Sequence, residues 1–162
     1  MKRYLITAFM LLAFIFAASC SGSPGNELDS MKTQSTNSLK ITPVSVVRSE
    51  GNGAVKPGEG KVFVGVLFEI ENITDKDQFI SSSLSFSSYA NDTQLSYSAA
   101  AAAAFDQPLD RPLPAHEKIT GYFALEAPAD AKVIKIIAGN SLMGDETIEF
   151  RFNMPQAASE ED

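Results

Sequence analysis

Side chains able to do chemistry are sparse in this sequence, and their spacing narrows the choice. Cys20 is the only cysteine and His116 the only histidine in 162 residues. A lone thiol can act as a nucleophile, ligate a metal or accept a covalent group, but it cannot close an intrachain disulfide. No second cysteine or histidine stands at the short spacing that a Cys/His metal site uses. The residues ahead of the thiol are the informative ones. Phe16-Ala17-Ala18-Ser19-Cys20 ends an apolar run in small side chains. Such a stretch suits a peptidase that grips an extended, unbulky backbone. Covalent processing, rather than catalysis, is the chemistry expected at this cysteine.

Other constellations reach less far. His116 follows Pro114-Ala115 in a proline-bearing turn, a poor seat for the base of a Ser-His-Asp arrangement. Gly139-Asn140-Ser141-Leu142-Met143-Gly144 sets a serine between glycines. A nucleophile elbow reads Gly-x-Ser-x-Gly and opens a helix, whereas here the second glycine comes one residue late. Gly58-Glu59-Gly60-Lys61 lacks the spacing of a phosphate-binding loop. Asp75 with Asp77, or the Asp106/Asp110 loop, could lend oxygens to a weak calcium site. Calcium, however, needs six or more oxygen ligands, and a polar turn solvates its own carboxylates. Asn72-Ile73-Thr74 and Asn91-Asp92-Thr93 match the N-glycosylation acceptor pattern and are read as chance matches. The expectation is a non-enzymatic protein with no catalytic residue, no metal site and no cofactor.

The segment that delivers Cys20 begins Met1-Lys2-Arg3, with two positive charges, and then runs uncharged through residues 4–18. Fifteen residues rising about 1.5 Å each reach roughly 22 Å, short of a hydrocarbon core of about 30 Å. A basic start, a short apolar core and a small-residue end are the three parts of a secretory signal peptide. With cysteine directly after the small residues, the segment resembles the lipobox of bacterial lipoproteins. Ser19 and Cys20 fit that pattern, and Ala17 stands where leucine is most usual. The resemblance implies that the Cys20 thiol receives a diacylglyceryl group, that residues 1–19 are removed, and that Cys20 becomes the first residue. It implies the membrane as a partner, through lipid on Cys20, and a place on the extracytoplasmic face of the cell membrane. Two acyl chains, each contributing about 0.8 kcal/mol per buried methylene, anchor a protein without further help.

Residues 1–19 hold two of the 13 basic residues and none of the 20 acidic ones, so the remaining 143 residues carry −9 where the whole chain carries −7. An acidic surface of this strength argues against nucleic acid and anionic lipid as direct ligands. With its one thiol lipidated, the domain must be held by its hydrophobic core alone, which a chain of this length can build.

Residues 20–38 are Ser, Gly, Asn, Thr and charge with little apolar content, and read as a flexible tether. Residues 39–153 read as short strands separated by turn chemistry. The strand over 39–47 contains Pro43, which marks an edge or a bulge. Residues 61–72 are apolar on both faces, with Val62, Val64, Val66, Phe68 and Ile70 on one and Phe63 and Leu67 on the other, so this strand belongs in the middle of a sheet. Strand composition continues at 79–80, 84–89 and 95–98, and six alanines at 99–104 favour a helical turn whose packing decides its stability. Residues 106–115, with three prolines, read as a loop. Strands follow over 119–126, 132–138 and 147–152, and residues 154–162 form an acidic tail. The sum is all-β: a β-sandwich of about seven strands with one short helical turn.

Two stretches carry a second resemblance. Gly60-Lys61-Val62-Phe63-Val64-Gly65-Val66 leading to Glu71-Asn72 is the first. Leu113-Pro114-Ala115-His116-Glu117-Lys118-Ile119-Thr120-Gly121-Tyr122-Phe123 followed by Pro128-Ala129-Asp130-Ala131 is the second. Together they resemble a large family of immunoglobulin-like domains of unknown function found on lipoproteins of Gram-positive bacteria. The fold it implies is that of a mycobacterial secreted immunoprotective antigen. The family brings no catalytic residues. Where it usually has glycine, this chain has His116, which a turn needing positive φ tolerates less well than glycine.

The residues themselves assign structural roles to Asn72, as a cap for the turn after it, and to Gly121, as a bulge or close backbone approach. What remains for function is surface. Tyr89, Tyr97, Tyr122 and Phe105 are aromatics of the kind interfaces favour, and an edge near Pro43 could accept an added strand. The functional expectation is a lipid-anchored extracytoplasmic domain that binds a protein, a peptide or another cell-envelope component. The alternatives are an envelope hydrolase or metal-dependent enzyme, which the missing motifs disfavour, and a structural coat protein without a dedicated ligand.

Overall fold

Twelve residues in the middle of the chain form β3 (Lys61–Asn72), and their dense apolar pattern makes this strand the spine of the domain. In the computed structural model, residues 31–139 and 146–156 are described. The signal segment with Ser19 and Cys20, most of the Gly139–Gly144 stretch and residues 157–162 lie outside them. β3 is paired on both sides, with β2 (Leu39–Ser49) and β8 (Lys118–Pro128), as its two apolar faces require. A two-residue β1 (Gln34–Ser35) adds to β2 and completes a sheet ordered β1-β2-β3-β8.

The second four-stranded sheet is ordered β10-β9-β5-β6, from β5 (Phe86–Ala90), β6 (Thr93–Leu95), β9 (Val133–Ala138) and β10 (Ile148–Asn153). The sheets face each other through aromatic contacts. Phe68 of the first lies 5.9 Å from Phe86 and 5.4 Å from Phe150 of the second, measured between ring centroids. Phe123 lies 5.0 Å from Phe86 in the same way. Val62, Val64, Val66 and Ile70 fill the rest of this layer from β3, and Ile134 and Ile136 answer from β9. Each large side chain buried there is worth roughly 1.5–3 kcal/mol. This is an all-β sandwich.

The strand count exceeds the sequence reading of about seven, with β1 and β7 (Arg111–Leu113) unread at two and three residues. β4 (Gln78–Ile80), read from strand composition at 79–80, pairs with β7 as a separate two-stranded ribbon. β7 lies inside the stretch read as a proline loop. Pro112, which lacks an N–H, stands opposite Phe79 in a ribbon with no third described strand, an edge setting that tolerates proline.

Two short helices replace the one expected. Ser82–Ser85 forms α1 where a continuous strand was read over 84–89. The Asp110 carboxylate accepts from the Ser82 N–H at 2.9 Å and from the Ser82 hydroxyl at 2.6 Å, a local arrangement that competes with strand pairing. The alanine run forms α2 (Ala99–Ala103), opened by Ser98, whose hydroxyl accepts from the Ala101 N–H at 3.1 Å. Packing decides its fate as expected. Ala101 is fully buried with Phe63 and Ala124 against the outer face of the first sheet, beside Phe105.

Asn91 and Asp92 both take positive φ, 46° and 66°, and join β5 to β6 in a two-residue turn. Both signs match the primed hairpin turns, so β6 starts at Thr93 rather than at Leu95. Structure also begins before the expected end of the tether and runs past the expected end of the domain. Thr36 is buried and Gln34 pairs with Ile41. Met154 is buried, and its N–H reaches the Lys132 carbonyl at 2.8 Å. Pro43 precedes a register shift in β2, and Val44 is 49 % exposed there, a bulge on a strand whose outer edge β1 covers only at Lys40 and Ile41.

Candidate functional site

Asn72 ends β3 fully buried, and its side chain organises the turn that follows. Its Oδ1 accepts from the Thr74 N–H at 3.1 Å, the Thr74 hydroxyl at 2.8 Å and Gln78 Nε2 at 3.0 Å. Its Nδ2 donates to the carbonyls of Lys76 at 2.8 Å and of Leu113 and Pro114 at 3.1 Å each. The cap expected from sequence is therefore the smaller half of its role. The same amide fixes the turn 73–77 against the ribbon β4–β7. It is also unavailable to a glycosylating enzyme, whereas Asn91 is exposed and its Oδ1 accepts from the N–H groups of Lys132 and Val133.

Held by this hub, the turn, β4 and α1 enclose a cavity of about 910 Å³. Phe79 and Leu84 open into it while 56 % and 60 % exposed, and Ile80 lines it from the core side. Asp75 and Asp77 stand in the wall. β4 pairs with a strand on one side only, so its second edge is unpaired by any described strand. An apolar recess beside a strand edge, with carboxylates in its wall, fits an extended chain bearing apolar and cationic side chains.

The carboxylates considered for calcium are engaged elsewhere. Asp77 accepts from the Ala115 N–H at 3.0 Å, Asp75 lies 2.8 Å from His116 Nε2, and Asp110 holds α1. Among the described residues, no three His, Cys, Asp or Glu side chains converge as metal ligands would. His116 has φ 60°, so the turn takes the positive φ that glycine would adopt more readily. Its imidazole is largely exposed and meets Asp75, with no serine among its hydrogen-bond partners.

The four aromatics singled out from sequence divide. Tyr89 lies under the Lys135 ammonium, 4.5 Å from ring centroid to nitrogen. Phe105 and Tyr122 stack at 5.2 Å over the first sheet, where Phe105 covers Gly65. Tyr97 alone of the four is more than half exposed. Gly121 makes the close approach expected of it, since a Cβ there would stand 2.8 Å from the Gln107 carbonyl oxygen. Phe79 and Leu84 were missed as surface residues. The only sequence signal was an apolar pair of strand-like segments separated by three serines, which a strand reading buries.

Across the outer face of the first sheet runs a ladder of charge. Lys118 Nζ lies 3.1 Å from Glu69 and 3.4 Å from Glu71, and Lys40 lies 3.7 Å from Glu71. Hydrogen bonds to Glu69 and then Glu71, with their negative charge, hold the Lys118 ammonium above the usual lysine value of 10.5. This ladder joins neighbouring strands and leaves no net site for an ion.

Sandwich fold, capped turn and ribbon are thus on the page, and they agree with the comparisons. The chain belongs to the family of a domain of unknown function, DUF4352, whose pattern matches residues 29–148. Among solved structures it is similar in fold to the candidate lipoprotein ycdA of Bacillus subtilis, at TM-score 0.58 and 12 % identity. That alignment covers 76 % of this chain and 39 % of the other, so this chain spans about two-fifths of its length. The yjhA protein of Bacillus subtilis is similar at TM-score 0.54 and 15 % identity, covering 75 % of this chain and 95 % of that one. A conserved hypothetical protein of Bacillus anthracis is similar at TM-score 0.53 and 19 % identity, covering 74 % and 92 %. These likenesses show the fold. None of the curated protein sequences matches the chain. No helix among the described residues is long and apolar enough to cross a membrane.

Proposed function

We propose that this protein is a non-enzymatic recognition domain, anchored by lipid on Cys20 to the extracytoplasmic face of the cell membrane, that takes an extended protein segment into the cavity over β4. The observation that carries the reading is the pair Phe79 and Leu84, exposed large apolar side chains opening into one recess beside an unpaired strand edge. Exposed apolar side chains that share a concave recess mark interaction sites more often than scattered ones do. The partner chemistry is set by charge. Asp75 and Asp77 line the wall against one cation, Lys76, and the chain after residue 19 carries −9, so a segment mixing apolar residues with Lys or Arg is favoured. Anchoring is supported by Ala17-Ala18-Ser19-Cys20 and by the fold likeness to a candidate lipoprotein.

Selection of random peptides on the full-length chain tests this. Wild type enriches peptides that alternate apolar with basic residues, and a Phe79→Ser/Leu84→Ser variant that keeps its unfolding midpoint loses them. Enrichment of no sequence class, or retention of the same peptides by the variant, overturns the reading.

A further inference from the structure

A second cavity, of about 520 Å³, opens where β5 and β6 of one sheet approach β8 of the other, and its chemistry differs from that of the recess over β4. None of the residues lining it is Asp, Glu, Lys, Arg or His. Hydroxyl and amide groups dominate instead, from Ser83, Ser87, Ser88, Gln94 and Ser96, with Tyr97 beside them.

Ser88 is the residue that needs explaining. It occupies a core-facing position of β5, on the side of Phe86 and Ala90, opposite Leu95 on β6 and Ile136 on β9. As a residue it is only 5 % exposed, and its hydroxyl, which keeps some accessible surface, makes no hydrogen bond to a described residue. An apolar residue would suit a core-facing position flanked by phenylalanine and alanine, so a hydroxyl here stands out. Because Ser88 also lines the cavity, its hydroxyl is available to whatever enters.

We infer that this cavity is a binding site for a short neutral glycan, with Ser88 as the buried hydrogen-bonding contact and Tyr97 as the aromatic platform. Each sugar hydroxyl both donates and accepts, as do the serine hydroxyls and, between its two ends, the Gln94 amide. Tyr97 is 52 % exposed, and its ring offers a flat apolar surface to the C–H face of a pyranose. The absence of charged groups from the lining excludes an ionic ligand, which would find no counter-charge. An added peptide strand is disfavoured because β6 is only three residues long and the polar groups come from separate segments. The volume lies within the roughly 300–1,000 Å³ of small-molecule pockets. This site is independent of the recess over β4.

The test is NMR titration of the full-length chain, in micelles of a detergent without a sugar head group. Cellotriose and chitotriose are the neutral probes and trigalacturonate the anionic one. Saturation transfer from protein to the neutral probes is expected, with amide shifts at Ser87, Ser88, Gln94 and Ser96. Ser88→Ala, which removes the cavity-lining hydroxyl and keeps the wild-type unfolding midpoint, weakens binding about tenfold. Tyr97→Ala does the same, and its exposure makes misfolding no concern. Phe79→Ser/Leu84→Ser leaves saccharide binding unchanged. Saturation transfer to neither neutral probe, equal binding of trigalacturonate, or shifts confined to residues 74–85 overturns the assignment.

Discussion

Asn72 Nδ2 donates to the Leu113 carbonyl across 3.1 Å, joining residues 41 apart in sequence and fastening the end of β3 to the ribbon that carries the recess. A single buried amide thus couples the spine of the sandwich to its candidate site. Asn72→Ala leaves the Lys76, Leu113 and Pro114 carbonyls and the Thr74 N–H without their partner, at a cost of about 3 kcal/mol. Urea unfolding measures this directly. Asn72→Asp restores the acceptor side alone and remains destabilised by a similar amount, whereas a loss below about 1 kcal/mol in both variants contradicts the hub.

Gly65 is fixed by what lies on it. A Cβ there would stand 2.6–2.9 Å from three atoms of the Phe105 ring, and the ring in turn shields α2 and Phe63. Gly65→Ala therefore costs about 1–3 kcal/mol by overpacking. In a double-mutant cycle with Phe105→Ala, the penalty of the added methyl disappears; additive losses show that the two residues do not interact as described.

Lys118 gives a pH-dependent prediction. Its folded pKa is raised, chiefly by the hydrogen bond to Glu69 and then by that to Glu71. Since the folded value exceeds that of the unfolded chain, near 10.5, the contribution to stability is fully present below that pH and is lost as pH rises through the folded value. Following the Lys118 ε-carbon shift with pH places the titration above that of an exposed lysine. Glu69→Gln moves it down, and an unchanged midpoint in that variant assigns the shift elsewhere.

Cys20→Ala tests the anchor. The protein then leaves the membrane fraction for the medium or keeps its signal segment, and its mobility changes accordingly. Cell fractionation that gives wild-type distribution and mobility for the variant removes the lipid from the account.

The sandwich was legible in the sequence where elements are long and doubly covered. β3 announced itself through two apolar faces, and Asn72, Gly121 and His116 each occupy the conformation or close approach their residue types suggested. The alanine run is helical because Ala101 packs on Phe63, a contact no local propensity encodes. β7 and α1 were not legible for the same reason, and β4 was legible only as the strand composition of Phe79-Ile80. Each has three or four residues and exists through partners far along the chain, such as Asp110, which holds Ser82 from 28 residues away. The candidate site is built from those very pieces, so the exposure of Phe79 and Leu84 was not readable from their strand-like composition. Ser88 was hidden differently: one serine among many gives no sign that it faces the core and lines a cavity.

The most direct test of the central claim replaces Phe79 with p-benzoylphenylalanine, and Val44 likewise as an exposed control on β2, for photo-crosslinking in intact cells. The account predicts an adduct from position 79 whose crosslinked segment, identified by mass spectrometry, is extended, apolar and basic. It also predicts that Leu84→Asp abolishes that adduct and that position 44 does not form it. Equal labelling from positions 79 and 44, or an adduct from position 79 that persists in Leu84→Asp, contradicts recognition through this recess.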